Sequence, residues 1–294
     1  MSPFGNEEIV GYQLITDGGD IYCYGETDFQ GTIKQNFELK HSIIGSLNTP
    51  KGQHLVVENG DYYIVGPTIE KDHIEVFEDS VVASIFFNNE VVVLTKHGKF
   101  YNQSGNKMPK LETDDELSDI NFVACSITNT GDDIIAVTEN GKIYSTDKSL
   151  ISGDLHTLGL EHVRVVDVVC HPTRKGYWLL DSIGGIFCFG TVDYFGSVPE
   201  DGIECIATQL VVTPSGSGYL IVDQSGMVLP YGNAIFFGAP KASQVTGRIV
   251  SLDIWKKPVK ATNANLFDKL VQNDINQLLG KDVEFISEPS ARID

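Results

Sequence analysis

An all-β fold of six repeated units is predicted for this chain by three observations. A short apolar run, a turn glycine and a second apolar run recur six times along 294 residues. The turn glycines stand at Gly19, Gly60, Gly98, Gly141, Gly184 and Gly226, at spacings of 41, 38, 43, 43 and 42. Three copies nearly superimpose: GYQLITDGGDIYCYG from Gly11, GYWLLDSIGGIFCFG from Gly176 and GYLIVDQSGMVLPYG from Gly218. A unit of this size buries its apolar faces by stacking on its neighbours, so the period sets the architecture.

Each copy centres on a β-hairpin. The other three are HLVVENGDYYIVG, VVVLTKHGKFYNQSG and IIAVTENGKIYSTD. Strand-forming residues precede a polar pair, a glycine and a second strand, and glycine supplies the positive φ of a tight turn. Two strands alone are marginal in water, so more strands are expected around each hairpin. The best copy supplies them. Residues 163–170 (VRVVDVVC) read as a first strand, HPTRK as a turn, GYWLLDS and GIFCFG as the second and third strands. Tyr194-Phe195-Gly196-Ser197-Val198 then reads as a short fourth strand. The last copy repeats the order in IECIATQLVV, TPSGS, GYLIVD, MVLPYG and IFFGAP. Four antiparallel strands in about 42 residues is the size of one β-propeller blade. GIFCFG, IIAV, VVVL and YLIV lack alternation, as strands buried on both faces do. Pro230, inside a third strand, predicts a bulge or an unpaired position.

The first copy begins with its second strand. Its first strand is expected from the other end, where Gly247–Lys256 (GRIVSLDIWK) resembles VRVVDVVC and its turn. Residues 249–255 are therefore predicted to pair with the N-terminal hairpin. This gives a six-bladed β-propeller over residues 1–258, its first blade completed by both termini and its edges removed by closure. Seven blades is the alternative; it needs a hairpin near residue 268. There the chain reads instead as a helix, capped by Asn265 with Asp268 three residues on and stopped at Gly280. Leu266, Phe267, Leu270, Val271, Ile275 and Leu278 form its apolar stripe. Residues 259–294 are thus expected to be a C-terminal amphipathic helix and tail, and the stripe packs on the propeller's own rim or docks on a partner subunit.

Three motifs carry a family resemblance: Gly176-Tyr177-Trp178-Leu179, Gly184-Gly185-Ile186-Phe187, and a trailing aromatic-x-glycine at Phe29-Gln30-Gly31, Tyr194-Phe195-Gly196 and Phe236-Phe237-Gly238. These copies resemble the bacterial propeller repeats with a GYWL…DGGIFxFG pattern, a family common in secreted and envelope proteins. The resemblance implies the propeller fold and no particular activity. The chain departs from the secreted members in opening on MSPFGNEEIV, which has neither a basic segment nor an apolar core of signal-peptide length.

Net charge is 21 − 40 = −19. Such a balance repels phosphate backbones and argues against nucleic acid as a partner. No run approaches the length of a membrane span. Five cysteines without CxxC spacing (Cys23, Cys125, Cys170, Cys188, Cys205) favour a reducing compartment. Cys23 and Cys188, within apolar strands, are expected to be buried thiols. The expected location is cytoplasmic or within a virion.

Chemistry is sparsely encoded. The chain carries no HExxH, phosphate-binding glycine loop, GxSxG or paired Cys/His spacing, so no catalytic, cofactor-binding or metal-ligating residue is assigned. Asp17-Gly18-Gly19-Asp20 resembles a fragment of a calcium loop, but the equivalent turns do not keep its carboxylates, and turn chemistry explains the set. His171 reads as a turn histidine. Phe29, Tyr194, Phe195, Phe236 and Phe237 are candidate rim aromatics for stacking on sugars or for packing between blades. The leading expectation is a non-enzymatic scaffold or structural subunit, in one version a viral or phage virion component, anchored to other subunits by its C-terminal extension. A carbohydrate- or receptor-binding propeller is the alternative. A third reading is a hydrolase with channel carboxylates, for which Asp167, Glu204 and Asp253 are the first-strand acids.

Overall fold

The computed structural model describes residues 7–258 apart from 28–31, 36, 67, 78, 106, 107, 109, 114–116, 118 and 119. The C-terminal stripe and Phe29 lie outside the described residues. The chain divides into two units, Ile9–Lys256 and the two ends beyond it; the architecture that follows is that of the first.

Six small sheets follow one another, and within each the strands of a hairpin pair antiparallel. The first joins β1 (Glu7–Thr16) and β2 (Ile21–Gly25) to β19 (Ile249–Pro258), in the order β19-β1-β2. The second holds β3 (Ile43–Thr49), β4 (Gly52–Val57), β5 (Asp61–Val65) and β6 (Glu70–His73). The third holds β7 (Val81–Phe87), β8 (Glu90–Thr95) and β9 (Phe100–Asn102); the fourth β10 (Phe122–Ile127), β11 (Ile134–Thr138) and β12 (Ile143–Ser145). The fifth holds β13 (Val165–Cys170), β14 (Gly176–Asp181) and β15 (Ile186–Gly190); the sixth β16 (Ala207–Val212), β17 (Gly218–Asp223) and β18 (Val228–Gly232).

Among the described residues, four strands per unit are therefore realised in the second sheet, and the other sheets show three. Where the repeat pattern predicts a short strand at Tyr194–Val198, the chain runs irregularly into a 3₁₀ turn at Val198–Asp201. Pro199 just inside that turn suits its start, and Gly202 closes it at φ 67°.

The missing alternation in the middle strands has a direct cause. Leu179 packs toward the fourth sheet, while Trp178 and Leu180 pack toward the sixth. Likewise Leu220 and Val222 face the first sheet, and Tyr219 and Ile221 the fifth. Each middle strand is thus shared by two cores, and both faces must be apolar. The six cores each combine two sheets; one of them places Ile249, Leu252, Tyr12 and Leu14 of the first sheet against Leu220, Val222 and Val228 of the sixth.

Third strands behave differently. GIFCFG is an edge strand, and Cys188 is exposed rather than buried, with Cys23 half-buried at the same place in β2. An edge strand has only one neighbour, so its side chains are less completely covered. The same position resolves Pro230. It stands opposite Leu220 with no register shift, at the sheet edge, where a missing N–H leaves the outer side without a ladder to break. The register shifts fall elsewhere, at the second residue of the first strand in five sheets: Ile44, Val82, Val123, Val166 and Thr208.

One backbone hydrogen bond recurs at every sheet-to-sheet step. The first residue of each first strand donates its N–H to a carbonyl in the hairpin turn of another sheet: Ile43 to Asp17 (2.9 Å), Val81 to Glu58 (2.8 Å), Phe122 to Lys96 (2.8 Å), Val165 to Glu139 (2.8 Å) and Ala207 to Ser182 (3.0 Å). The sixth bond runs from Ile249 of the first sheet to Gln224 of the sixth (2.8 Å).

The six turn glycines all have positive φ, between 78° and 97°. They also serve a second purpose. An apolar residue fourteen positions later seats against the glycine: Ile33 on Gly19, Ile74 on Gly60, Leu155 on Gly141 and Val198 on Gly184. These four are fully or almost fully buried. A Cβ at Gly184 would lie 2.5 Å from Val198 Cγ2, so conformation and space both demand glycine.

Candidate functional site

The first-strand acids become braces. Asp167 Oδ2 accepts the Leu210 N–H at 2.9 Å, and Oδ1 accepts the Val168 N–H at 2.8 Å. At the same strand position in the next two sheets, Gln209 Oε1 accepts from Leu252 N (2.5 Å) and Ser251 Oγ from Ser46 N (3.2 Å). These amides face away from their own sheets, and a buried donor left unpaired costs about 1–3 kcal/mol. A polar side chain from the preceding sheet removes that cost. The other three sheets carry Gly45, Ala83 and Ala124 at this position, with no side-chain acceptor to offer. Asp253 is buried and accepts from Gln53 Nε2 at 2.6 Å. Glu204 lies in the exposed connection before β16, not on a first strand. Asp167 and Asp253 thus bind different partners on different sheets.

Burial pushes the Asp167 carboxyl up to about 7, outweighing the two amide bonds that favour its ionised form. Burial raises Asp253 as well, against the bond from Gln53. A carboxyl raised in the folded state contributes stability that is fully present below its unfolded pKa and is lost as pH rises through the folded value. Asp167→Ser, which installs the side chain found at position 251, is expected to flatten the loss of thermal stability between pH 5 and pH 8 relative to wild type; parallel Tm-versus-pH curves would contradict this.

The turn carboxylates are also engaged. Asp17 pairs with Arg248 (3.3 Å) and Asp20 with Lys34 (2.5 Å). The last residue of the second strand closes the turn from within: Thr16, Thr95 and Thr138 through Oγ1 to the amide four residues on (2.9, 3.2 and 3.0 Å), and Asp181 through Oδ1 to Gly185 N (2.6 Å). His171 is a buried turn residue. Its Nδ1 accepts from Thr173 N (3.1 Å) and Arg174 N (2.9 Å), and its ring stacks on Trp178. Burial, then the nearby Arg174, lowers its pKa. Burial also raises the Cys125 and Cys170 thiols, keeping them protonated.

The rim aromatics divide into two kinds. Phe195 and Phe237 are half-buried and pack edge-on against Tyr219 (5.5 Å) and Tyr12 (5.6 Å) of the following unit. Those tyrosines belong to the Gly-Tyr motif. Tyr12, Tyr177 and Tyr219 each donate the hydroxyl to a trailing-loop glycine carbonyl, of Gly238 (2.5 Å), Gly153 (2.5 Å) and Gly196 (2.6 Å). The motif is thus a latch between adjacent units. Tyr194 and Phe236 point outward, 46% and 51% exposed.

Two grooves open at the hairpin-turn end of the sheets. One, of about 760 Å³, is polar and lies between the fourth and fifth sheets. It gathers His156, paired with Glu161 at 3.0 Å, Arg164, paired with Glu139 at 2.8 Å, and His162. His156 and His162 lie six residues apart in one connection, which runs beside the hairpin turn that supplies Glu139 and Asn140. The other, of about 690 Å³, lies between the fifth and sixth sheets and is lined by Ile183, Ile203, Ile206 and Met227. Among the described residues no group of three or more His, Cys, Asp or Glu side chains is arranged to hold a metal ion, and no helix is long and apolar enough to cross a membrane. No family model matches this chain, and no curated protein matches it.

Proposed function

We propose that this chain is a six-bladed β-propeller, closed by β19 against β1, that works as a non-enzymatic subunit of a larger protein assembly. The recurrent first-strand bond supports six blades, because its sixth copy joins Ile249 to Gln224. The core shared by the first and sixth sheets supports closure. The latch tyrosines give the GYWL-type repeat resemblance a physical content. The observation that carries the non-enzymatic reading is the engagement of Asp167 and Asp253 in sheet-to-sheet braces. Residues 259–294 are the proposed anchor. Deleting residues 261–294 is expected to leave a soluble, monomeric propeller with wild-type Tm that no longer enters its assembly, as read by native mass measurement on material from the source. Retained assembly would refute the anchor. Glycan recognition is the second reading, favoured by the polar groove around His156 and His162, and a glycan array tests it.

A further inference from the structure

The groove between the fifth and sixth sheets breaks the rule of the repeat. The residue before the turn glycine is Gly18, Asn59, His97, Asn140 or Ser225 in five hairpins, but Ile183 in the fifth sheet. The residue before the first strand is Ser42, Ser80, Asn121, Arg164 or Arg248 elsewhere, but Ile206 before β16. The equivalence is structural, since each carbonyl accepts from a turn amide, Glu58 to Ser42 (3.1 Å), Lys96 to Ser80 (2.8 Å) and Gln224 to Ile206 (2.9 Å) among them. Both positions are solvent-facing, and the fold has no need of an apolar side chain at either. Yet Ile183 and Ile206 stand 58% and 55% exposed in one groove, with Ile203 beside them at 37%. Clustered apolar surface of this kind, where the same chain uses polar residues or glycine in its other units, marks an interaction site.

The charge around the groove selects the occupant. Glu204 is exposed in its lining, Glu200 and Asp201 stand exposed in the 3₁₀ turn just before Ile203, and no lysine or arginine lines the groove among the described residues. A second copy of a chain of net charge −19 is repelled. The chain's own residues 259–294 carry 4 basic and 6 acidic side chains, 4 − 6 = −2, and offer no complement either. We propose that this groove docks a segment of a partner protein that presents apolar side chains flanked by lysine or arginine. The proposal concerns two adjoining sheets, so its failure leaves the six-blade reading and the C-terminal anchor untouched.

The test is selection of a random displayed-peptide library on the full chain, followed by affinities of the enriched peptides. The expected result is enrichment of apolar residues flanked by lysine or arginine, with binding that weakens in high salt and falls roughly ten-fold or more in Ile183→Asn/Ile206→Ser, the loss expected when one buried aliphatic contact is removed. Those residues stand at the same places in other units, so the variant's Tm should match wild type. Glu200→Lys/Glu204→Lys, which spares the isoleucines, should weaken the same peptides independently. Enrichment of acidic peptides, or peptides that bind both variants as tightly as wild type, overturns the proposal. So does failure to enrich any peptide that depends on the isoleucines. A wild-type dimer that the isoleucine variant dissolves, seen by sedimentation, would overturn it too, by assigning the face to a second copy.

Discussion

Gly60→Ala is expected to destabilise the protein by about 3 kcal/mol or more, whereas Gly105→Ala is expected to cost about 1 kcal/mol. Both glycines have positive φ, 91° and 65°, so both substitutions carry the strain of a left-handed backbone with a Cβ. They differ in surroundings. A Cβ at Gly105 meets nothing within 4 Å, while at Gly60 it would lie 2.2 Å from the carbonyl oxygen of Ile74. Ile74 in turn donates its N–H to the Gly60 carbonyl at 2.9 Å and is 1% exposed. Relief would have to move backbone, not a rotatable side chain, and would unseat a core residue. Urea unfolding of the two variants measures the difference. Equal costs would mean that the close approach contributes nothing.

Ending the chain after Gly247 is expected to abolish cooperative unfolding, whereas ending it after Lys260 preserves the wild-type transition. The first truncation removes β19 and leaves β1 and β2 as a two-stranded hairpin, which is marginal in water. It also strips Ile249 and Leu252 from the core shared with the sixth sheet. Each is at most 2% exposed, and burying such a side chain is worth about 1.5–3 kcal/mol. Gln53 loses Asp253, Ser46 loses Ser251, and Gln209 loses the Leu252 amide. Two blades would then present open edges, inviting aggregation. Circular dichroism on heating, with solubility measured alongside, distinguishes the two truncations. A soluble protein with unchanged Tm after removal of β19 would contradict its role.

Local patterns in the sequence are sufficient for the hairpins, because a turn glycine and its flanking strands are contiguous. The same holds for the two-sided burial of β11, β14 and β17, read from runs such as IIAV and YLIV, and for the assignment of 249–255 to the first sheet, read from its likeness to VRVVDVVC. What escapes is set between units. The fourteen-residue step from Gly60 to Ile74 joins a turn to a residue beyond the next strand, and neither end announces the other. Asp167 looks like a channel acid because its partner, the Leu210 amide, lies forty-three residues away on the next sheet. Cys188 looks buried because a continuous apolar run does not say which strand is the edge. The fourth strand at Tyr194–Val198 fails for a related reason: Phe195 is held by Tyr219 of the next unit, and Val198 by Gly184, rather than by a ladder. The two grooves follow from the same geometry, and the sequence trace of the apolar one is isoleucine where the other units carry glycine or polar residues.

Closure of six units by a strand from the far end is the central claim, and amide hydrogen exchange tests it most directly. The N–H groups of Ile43, Val81, Phe122, Val165, Ala207 and Ile249 occupy one structural position, each bonded to a hairpin turn of another sheet. If the ring is closed, all six exchange only through global unfolding, and Ile249 is as slow as Val165 and Ala207. Fast exchange at Ile249, with the other five protected, would mean an open array whose last strand is not locked in place.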